Sequence, residues 1–388
     1  MQVEATPLVK SARDIAPLAR QFADETERER RLAAPVVDAL RRAGLFRMLV
    51  PRELGGGEAT VEDLLTAIEA VATGDGSAGW CLMIGATTGL TAALLPREGA
   101  REIHGDPDSV TGGMLMPRGT ATPVPGGYRV TGRWSYGSGS SHCTWLLGGV
   151  TVMGEDGQPA TLPGGHPHLR MALFPAGSCT IHDTWHVSGL RGTSSNDYEV
   201  RDLFVPEAHT VGLGIDRPWA SGPLYAFPMY GLLALGVSAV GLGIARAAID
   251  ALVELARVKT PTGSRRSLAD RAAAQFGIAE AEALLRSSRA YLFDAVRAAW
   301  ATAERGEALS TAERAGLRLA ATFAARSCAR AVDICYDLGG GTSIYENSPL
   351  QRHFRDIHTM TQHVMVGQPT FEVAGRVMLG LPVDTFML

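Results

Sequence analysis

The chain has 388 residues, of which 46% are hydrophobic and 20% are charged, so it is long and apolar enough to bury a large core. This composition excludes an intrinsically disordered protein and a small fold that depends on disulfides. The 36 basic and 40 acidic side chains give a net charge of −4, which argues against nucleic acid as a partner.

The cysteine pattern and the N-terminal sequence predict a cytoplasmic protein. The five cysteines are odd in number and lack CxxC spacing, which is typical of buried thiols in a reducing compartment. The first residues carry charges and no apolar signal region, so no export is expected. Residues 218–245 carry no charge, but prolines and glycines interrupt them, which favours a buried helix over a membrane span.

Three regions of different pattern follow one another along the chain. Residues 1–108 place apolar side chains three and four positions apart and predict an N-terminal helical domain. Residues 109–215 alternate apolar and polar side chains between Pro/Gly turns, which predicts a central β domain, either a barrel or a sandwich. Residues 216–388 return to helical patterns and predict a C-terminal four-helix bundle, so the fold class is α+β and mainly α. The four helices of this bundle are expected at residues 229–257, 267–304, 310–338 and 350–379.

Several short motifs suggest chemistry that their surroundings do not support. Gly241-Leu242-Gly243 is like the start of a dinucleotide-binding fingerprint, but it lies inside a helical pattern without a βαβ unit, which favours close helix packing. The histidine pairs lack a further ligand at metal-site spacing, so no metal is predicted. A hydrolase built on Ser138 or Ser140 with His363 would lack a GxSxG elbow and an acidic partner.

The informative segment reads GRWSYGSGSSH. If a strand ends here, Trp134 and Tyr136 offer aromatic faces for a flat heterocycle, and Ser138 adds a hydroxyl beside them. Taken alone, the segment also fits a plain strand followed by a Gly/Ser turn. Two further segments, SGLRGTSSND at residues 188–197 and LGGG at residues 338–341, add backbone donors and small polar groups.

In order and spacing, these segments and the final RDIHTMTQH stretch resemble the acyl-CoA dehydrogenase fold over essentially the whole chain. More narrowly, they resemble its flavin-dependent monooxygenase branch, the oxygenase components of two-component hydroxylases. The resemblance implies a homotetramer that holds FMN or FAD between the β domain and the bundle. It also implies that a separate flavin reductase supplies the reduced flavin, and that O2 reacts through a flavin hydroperoxide with a small aromatic or heterocyclic substrate.

The acid-free stretches of the chain bear on which reaction this fold performs. Dehydrogenases of the family remove a proton with a Glu at the start of the bundle or just after the final Arg-Asp pair. Neither residues 217–249 nor residues 357–371 contain an acidic side chain, which favours the monooxygenase. The alternatives are a dehydrogenase or desaturase of an unusual thioester with His363 or another group as base, and a non-catalytic flavin- or ligand-binding relative.

The resemblance also implies roles for individual residues. His363 matches the neutral histidine that hydrogen-bonds the peroxide, and Ser138 matches the hydroxyl at flavin nitrogen 5. Many relatives carry another histidine in the helix after Gly79-Trp80, where this chain has Thr87 and Thr88, so deprotonation of a phenol there is not expected. The implied cofactor-binding positions, with Arg265 or its neighbour Arg266 pairing the flavin phosphate, are Tyr136, Ser138, Leu115, Trp134, Arg265 and Gly340.

Overall fold

The N-terminal region is helical. The computed structural model describes residues 5–213, 215–385 and 387–388. The helices of this region are α1 (Pro7–Gln21), α2 (Ala23–Glu29), α3 (Ala34–Arg42), α4 (Val61–Gly74), α5 (Gly76–Thr88), α6 (Thr91–Leu94) and α7 (Arg97–His104).

Helix α5 connects the three parts of the molecule. Its first turn is capped by Asp75, whose carboxylate accepts a hydrogen bond from the Ala78 amide at 2.8 Å. Nearly all of its residues are buried, since the helix packs against α4 and the sheet on one side and the bundle on the other. Side chains on α5 are therefore placed where the β domain and the bundle meet.

The central region is one seven-stranded sheet with the strand order β5-β6-β2-β1-β3-β4-β7. Its strands are β1 (Thr111–Val124), β2 (Gly127–Gly137), β3 (Trp145–Val152), β4 (Leu169–Pro175), β5 (Thr180–His182), β6 (Asn196–Pro206) and β7 (Thr210–Gly212). The pairing of β1 with β3 is parallel, and its register shifts between Met114 and Pro117. That bulge removes the backbone of the intervening residues from the regular ladder.

The C-terminal region consists of helices α8 (Pro223–Ala226), α9 (Met229–Val258), α10 (Ala272–Glu304), α11 (Thr311–Gly339), α12 (Pro349–Met360) and α13 (Pro369–Met378). The first three long helices lie close to their predicted ranges. The fourth predicted helix is wrong as a single unit, because the chain leaves the helix at Met360 and forms a short 3-10 turn, Val364–Val366. Pro369 accounts for where α13 begins, since a proline favours the first turn of a new helix over the interior of a continuing one.

Helix α9 is a core helix. Two helical stretches are long and apolar enough to cross a membrane, Gly76–Leu94 and Met229–Val258, but 78% and 89% of their apolar windows are buried inside the fold. The motif at Gly241 and Gly243 serves this packing, as the sequence predicts. A Cβ on Gly243 would lie 2.5 Å from the Cβ of Ala72, so glycine lets α9 and α4 approach closely.

Candidate active site

Three elements bring the predicted catalytic residues to one indole ring. Trp80 on α5 donates its Nε1–H to the Ser138 hydroxyl, with 2.9 Å between the two atoms. On the other side, the His363 ring contacts the same indole edge to face, with centroids 5.5 Å apart and planes at 71°. The structure thus places Ser138 and His363 around Trp80, a residue that the sequence patterns did not single out for this role.

The Ser138 hydroxyl is buried in a small network of side-chain oxygens. Its Oγ lies 2.7 Å from Ser195 Oγ, which in turn lies 2.7 Å from Thr193 Oγ1. Thr193 donates to the carbonyl of Leu190 at 2.8 Å. The loop that carries these groups is tightly turned, because both Leu190 and Ser194 adopt positive φ angles of 50° and 47°.

Helix α12 holds this loop in place. The Asp356 carboxylate accepts a hydrogen bond from the Leu190 amide at 2.5 Å. Burial, followed by the nearby Asp75 carboxylate, raises the pKa of Asp356 to about 7. Next to this contact, a Cβ on Gly189 would lie 2.1 Å from the backbone oxygen of Arg355, so the loop lies directly on the helix.

His363 is a neutral hydrogen-bond donor at physiological pH. It begins the 3-10 turn, and its Nδ1 accepts a hydrogen bond from the Met365 amide at 3.3 Å. The proton of the neutral ring is therefore on Nε2. Burial, and then the charge of Arg318, lowers the pKa of His363 to about 4. Arg318 itself donates to the Met365 carbonyl at 3.0 Å and so fixes the turn.

Two predicted cofactor positions present groups that fit a flavin. Tyr136 is 63% exposed at a positive φ of 64°, with its ring standing beside Trp185 at a centroid distance of 6.2 Å. Leu115 lies in the β1 bulge, where its backbone is free of the regular ladder. An open aromatic face, bulged backbone groups and a buried hydroxyl at Ser138 suit the flat, polar-edged ring system of a flavin.

Trp134 does not reach this surface. Its ring is fully buried in the β domain, stacked on Tyr198 at a centroid distance of 5.4 Å and tilted against Phe174. Its Nε1–H donates to the Gly149 carbonyl at 2.8 Å. The predicted cofactor contact of Trp134 is therefore replaced by core packing, because alternation along β2 turns this ring inward.

Arg265 and Gly340 lie at the opposite end of the bundle from His363. Arg265 is exposed in the loop after α9, and Lys259 at the start of that loop donates to the Gly339 carbonyl. Gly340 follows α11 directly, whereas His363 lies beyond the far end of α12, a helix about 18 Å long. Within one subunit, this pair is not brought together with Ser138.

The position of the missing histidine holds no free base. Thr87 donates its hydroxyl to the Met83 carbonyl at 2.7 Å. The Thr88 hydroxyl lies 2.9 Å from the Ile84 carbonyl and 2.7 Å from the Thr111 hydroxyl. Both hydroxyls are therefore engaged within the protein, and neither replaces a histidine in taking a proton from a phenol.

Comparison with known proteins gives consistent matches along the chain. Residues 4–104 match the model for the N-terminal domain of acyl-CoA dehydrogenases, and residues 235–368 match the model for their C-terminal domain. Indole-3-acetate monooxygenase of Pseudomonas putida is 36% identical over 357 residues, which cover 92% of this chain and 89% of that protein.

Two further relatives extend over almost the full length. The oxygenase subunit HsaA, a flavin-dependent monooxygenase of Rhodococcus jostii, is 29% identical and covers 96% of this chain and 98% of its own. The structure of XiaF from Streptomyces sp. in complex with FADH2 and glycerol superposes with a TM-score of 0.90 at 27% identity. That match covers 97% of this chain and 95% of the other.

Proposed function

Since this chain belongs to the flavin-dependent monooxygenase branch of the acyl-CoA dehydrogenase family, we propose that it is the oxygenase component of a two-component system. One atom of O2 enters a small aromatic or heterocyclic substrate and the other leaves as water. Reduced FMN or FAD, supplied by a separate flavin reductase, provides the two electrons and the place where O2 is activated. The observation that carries this proposal is the neutral His363 packed on the Trp80 ring that bonds Ser138.

The residues of the site divide the work between binding and protection. Ser138 and the Leu115 backbone are proposed to bind the polar edge of the flavin, and Tyr136 is proposed to cover its ring. His363 offers an Nε2–H donor beside the Trp80 ring, where it would hydrogen-bond a reactive oxygen species and protect it from breakdown. Arg265 and Gly340 are proposed to bind the flavin phosphate of a neighbouring subunit, because they lie far from Ser138 of their own.

The lowered pKa of His363 favours a monooxygenase reaction over a dehydrogenase reaction in which His363 is the base. Abstraction of an α-proton needs a base whose pKa is near the working pH. With a pKa lowered to about 4, His363 is too weak a base for that step. A donor that stays uncharged over the whole physiological range is what an oxygenase needs from this position.

We propose that an apolar cavity of about 240 Å³ receives the substrate. Met171 lines it and lies opposite Gly149 in the β3–β4 ladder, and a Cβ on Gly149 would lie 2.0 Å from the Leu115 carbonyl oxygen. The cavity therefore adjoins the bulge assigned to the flavin edge. A cavity of ~150 Å³ already holds a benzene ring, so a bicyclic ring system fits here. Among its described lining residues, only Asp216 is charged, which favours a neutral substrate over an anionic one.

The assembly is proposed to be a homotetramer in the cytoplasm. Large apolar side chains are exposed on α10, α11 and α13, where a second subunit would cover them. The five cysteines are free thiols, as suits a reducing compartment. On these three helices the exposed large apolar side chains are Phe276, Tyr291, Phe323, Phe371 and Met378.

A reconstitution assay tests the function. The purified protein is supplied with NADH, O2, FMN or FAD and a panel of neutral aromatic compounds, with and without a generic flavin reductase. Product is expected only when the reductase is present. Turnover with NADH alone would contradict the two-component proposal, and anaerobic reduction of bound flavin by an acyl thioester would support the dehydrogenase instead.

A further inference from the structure

Three short oxygen–oxygen contacts run in a row behind the Ser138 hydroxyl. They join Ser138 to Ser195 at 2.7 Å, Ser195 to Thr193 at 2.7 Å, and Thr193 to the Leu190 carbonyl oxygen at 2.8 Å. Oxygens at these distances need one proton between each pair. The row contains three hydroxyls and therefore three protons, one for each contact.

The carbonyl at the end of the row determines the direction of all three hydrogen bonds. The Leu190 oxygen only accepts, so the Thr193 proton points toward it. The Ser195 proton then serves the contact with Thr193, and the Ser138 proton serves the contact with Ser195. Leu190 is fixed in turn by the Asp356 carboxylate on its amide, so the row has a rigid end.

This order leaves the Ser138 oxygen as an acceptor. A hydroxyl oxygen has two acceptor positions and one proton. Its proton is committed to Ser195, and the Trp80 Nε1–H occupies one acceptor position. One acceptor position remains, with no proton available to donate.

From this geometry we propose that Thr193 and Ser195 act as positioning residues that make the site select reduced flavin. Nitrogen 5 carries a proton in reduced flavin and is a bare acceptor in oxidised flavin. A Ser138 oxygen that only accepts can take a hydrogen bond from the N–H of nitrogen 5 in reduced flavin. In oxidised flavin, a lone pair of nitrogen 5 would face a lone pair of the Ser138 oxygen, and no hydrogen bond can form. The inference rests on the proposed function, because it takes Ser138 as the partner of nitrogen 5.

Binding of oxidised and of reduced flavin tests the direction of the hydrogen bonds from Ser138 to Leu190. Dissociation constants for FMN and FAD are measured in air by flavin fluorescence and under anaerobic conditions after photoreduction. The unaltered protein is expected to bind the reduced form more tightly. Ser195→Ala and Thr193→Val each release the Ser138 proton for donation, so the affinity for oxidised flavin is expected to rise. The ratio of the dissociation constants for oxidised and reduced flavin then falls by about 3- to 10-fold, the effect of one hydrogen bond.

The sign of the change separates positioning from simple loss of structure. Ser140 provides the matched control, because its buried hydroxyl donates to the Ser194 carbonyl at 2.6 Å without joining the row. Ser140→Ala is expected to keep the redox preference, and Ser195→Thr to retain it through the same donor and acceptor. Equal weakening of both redox states in Ser195→Ala, or a wild-type preference for oxidised flavin, would overturn the inference. Failure to bind flavin in either state would overturn the proposed function itself.

Discussion

Replacing Gly189 with alanine tests how helix α12 supports the active site. The added Cβ would lie 2.1 Å from the Arg355 carbonyl oxygen and 2.3 Å from its carbon, and both are backbone atoms. Relief of this overlap requires the loop to move by roughly 1 Å or more, since non-bonded atoms pack at ~3.5 Å. Such overpacking costs about 1–3 kcal/mol of unfolding free energy. Because Thr193 and Ser195 move with the loop, a shift of ~1 Å also predicts a loss of activity on the order of 100-fold.

Urea unfolding and the reconstitution assay measure the two effects of Gly189→Ala separately. Thermal melting is less sensitive, because a chain of this length shifts by only about 1 °C per kcal/mol. Gly316→Ala is the matched control: it lies within α11 with open space around its Cβ position, so the helix is expected to gain up to ~1 kcal/mol. A Gly189→Ala protein with unchanged stability and activity would refute the proposed dependence of the site on α12.

Three other predictions follow from charges and titration. His363→Ala is expected to retain flavin binding but to release H2O2 in place of product, which the ratio of H2O2 to product measures. In the unaltered protein the pKa of His363 is about 4, so no loss of activity from its protonation is expected between pH 5 and 8. Asp216→Asn is expected to raise the relative kcat/KM for indole-3-acetate over indole, and an unchanged ratio would remove Asp216 from substrate selection. Burial lowers the pKa of His104 and of His353 to about 3, so each of them destabilises the fold as pH drops below ~6.5, by up to about 2 kcal/mol at pH 5, whereas Asp356, with a pKa raised to about 7, acts in the opposite sense. The histidine contribution is therefore measured as a difference: the unfolding free energy of His104→Gln relative to the unaltered protein is expected to rise by up to about 2 kcal/mol between pH 7.5 and 5 in urea titrations.

The sequence predicted the order of helices and strands because their periodicities are long and distinct. Helix α9 is expected at residues 229–257 and observed at Met229–Val258. The break after Met360 was missed, since the apolar spacing continues through it and only Pro369 marks a new start. That break matters for function, because it makes His363 the N-cap residue of the short turn Val364–Val366, where the Met365 amide fixes its tautomer.

The candidate site shows what local patterns leave out. Ser138 and His363 were identified through the resemblance, but their common neighbour Trp80 is 58 residues from Ser138 in the chain. Nothing in the local sequence distinguishes Trp80 from any buried indole. For Trp134 the local pattern predicts a cofactor contact, because this residue shares a motif with Tyr136, but its ring is buried in the core of the β domain. Contacts over such separations are set by how α5 packs between the sheet and α9, which periodicity does not encode.

The central claim is tested most directly by a single turnover under ¹⁸O2. The protein is mixed with photoreduced flavin and a neutral bicyclic substrate, without nicotinamide or reductase, and the product is analysed by mass spectrometry. Our account predicts one ¹⁸O atom in the product. In His363→Ala the labelled product is expected to be lost, while flavin binding is retained. Product that forms without ¹⁸O, or substrate oxidised equally well by oxidised flavin in the absence of O2, would contradict it.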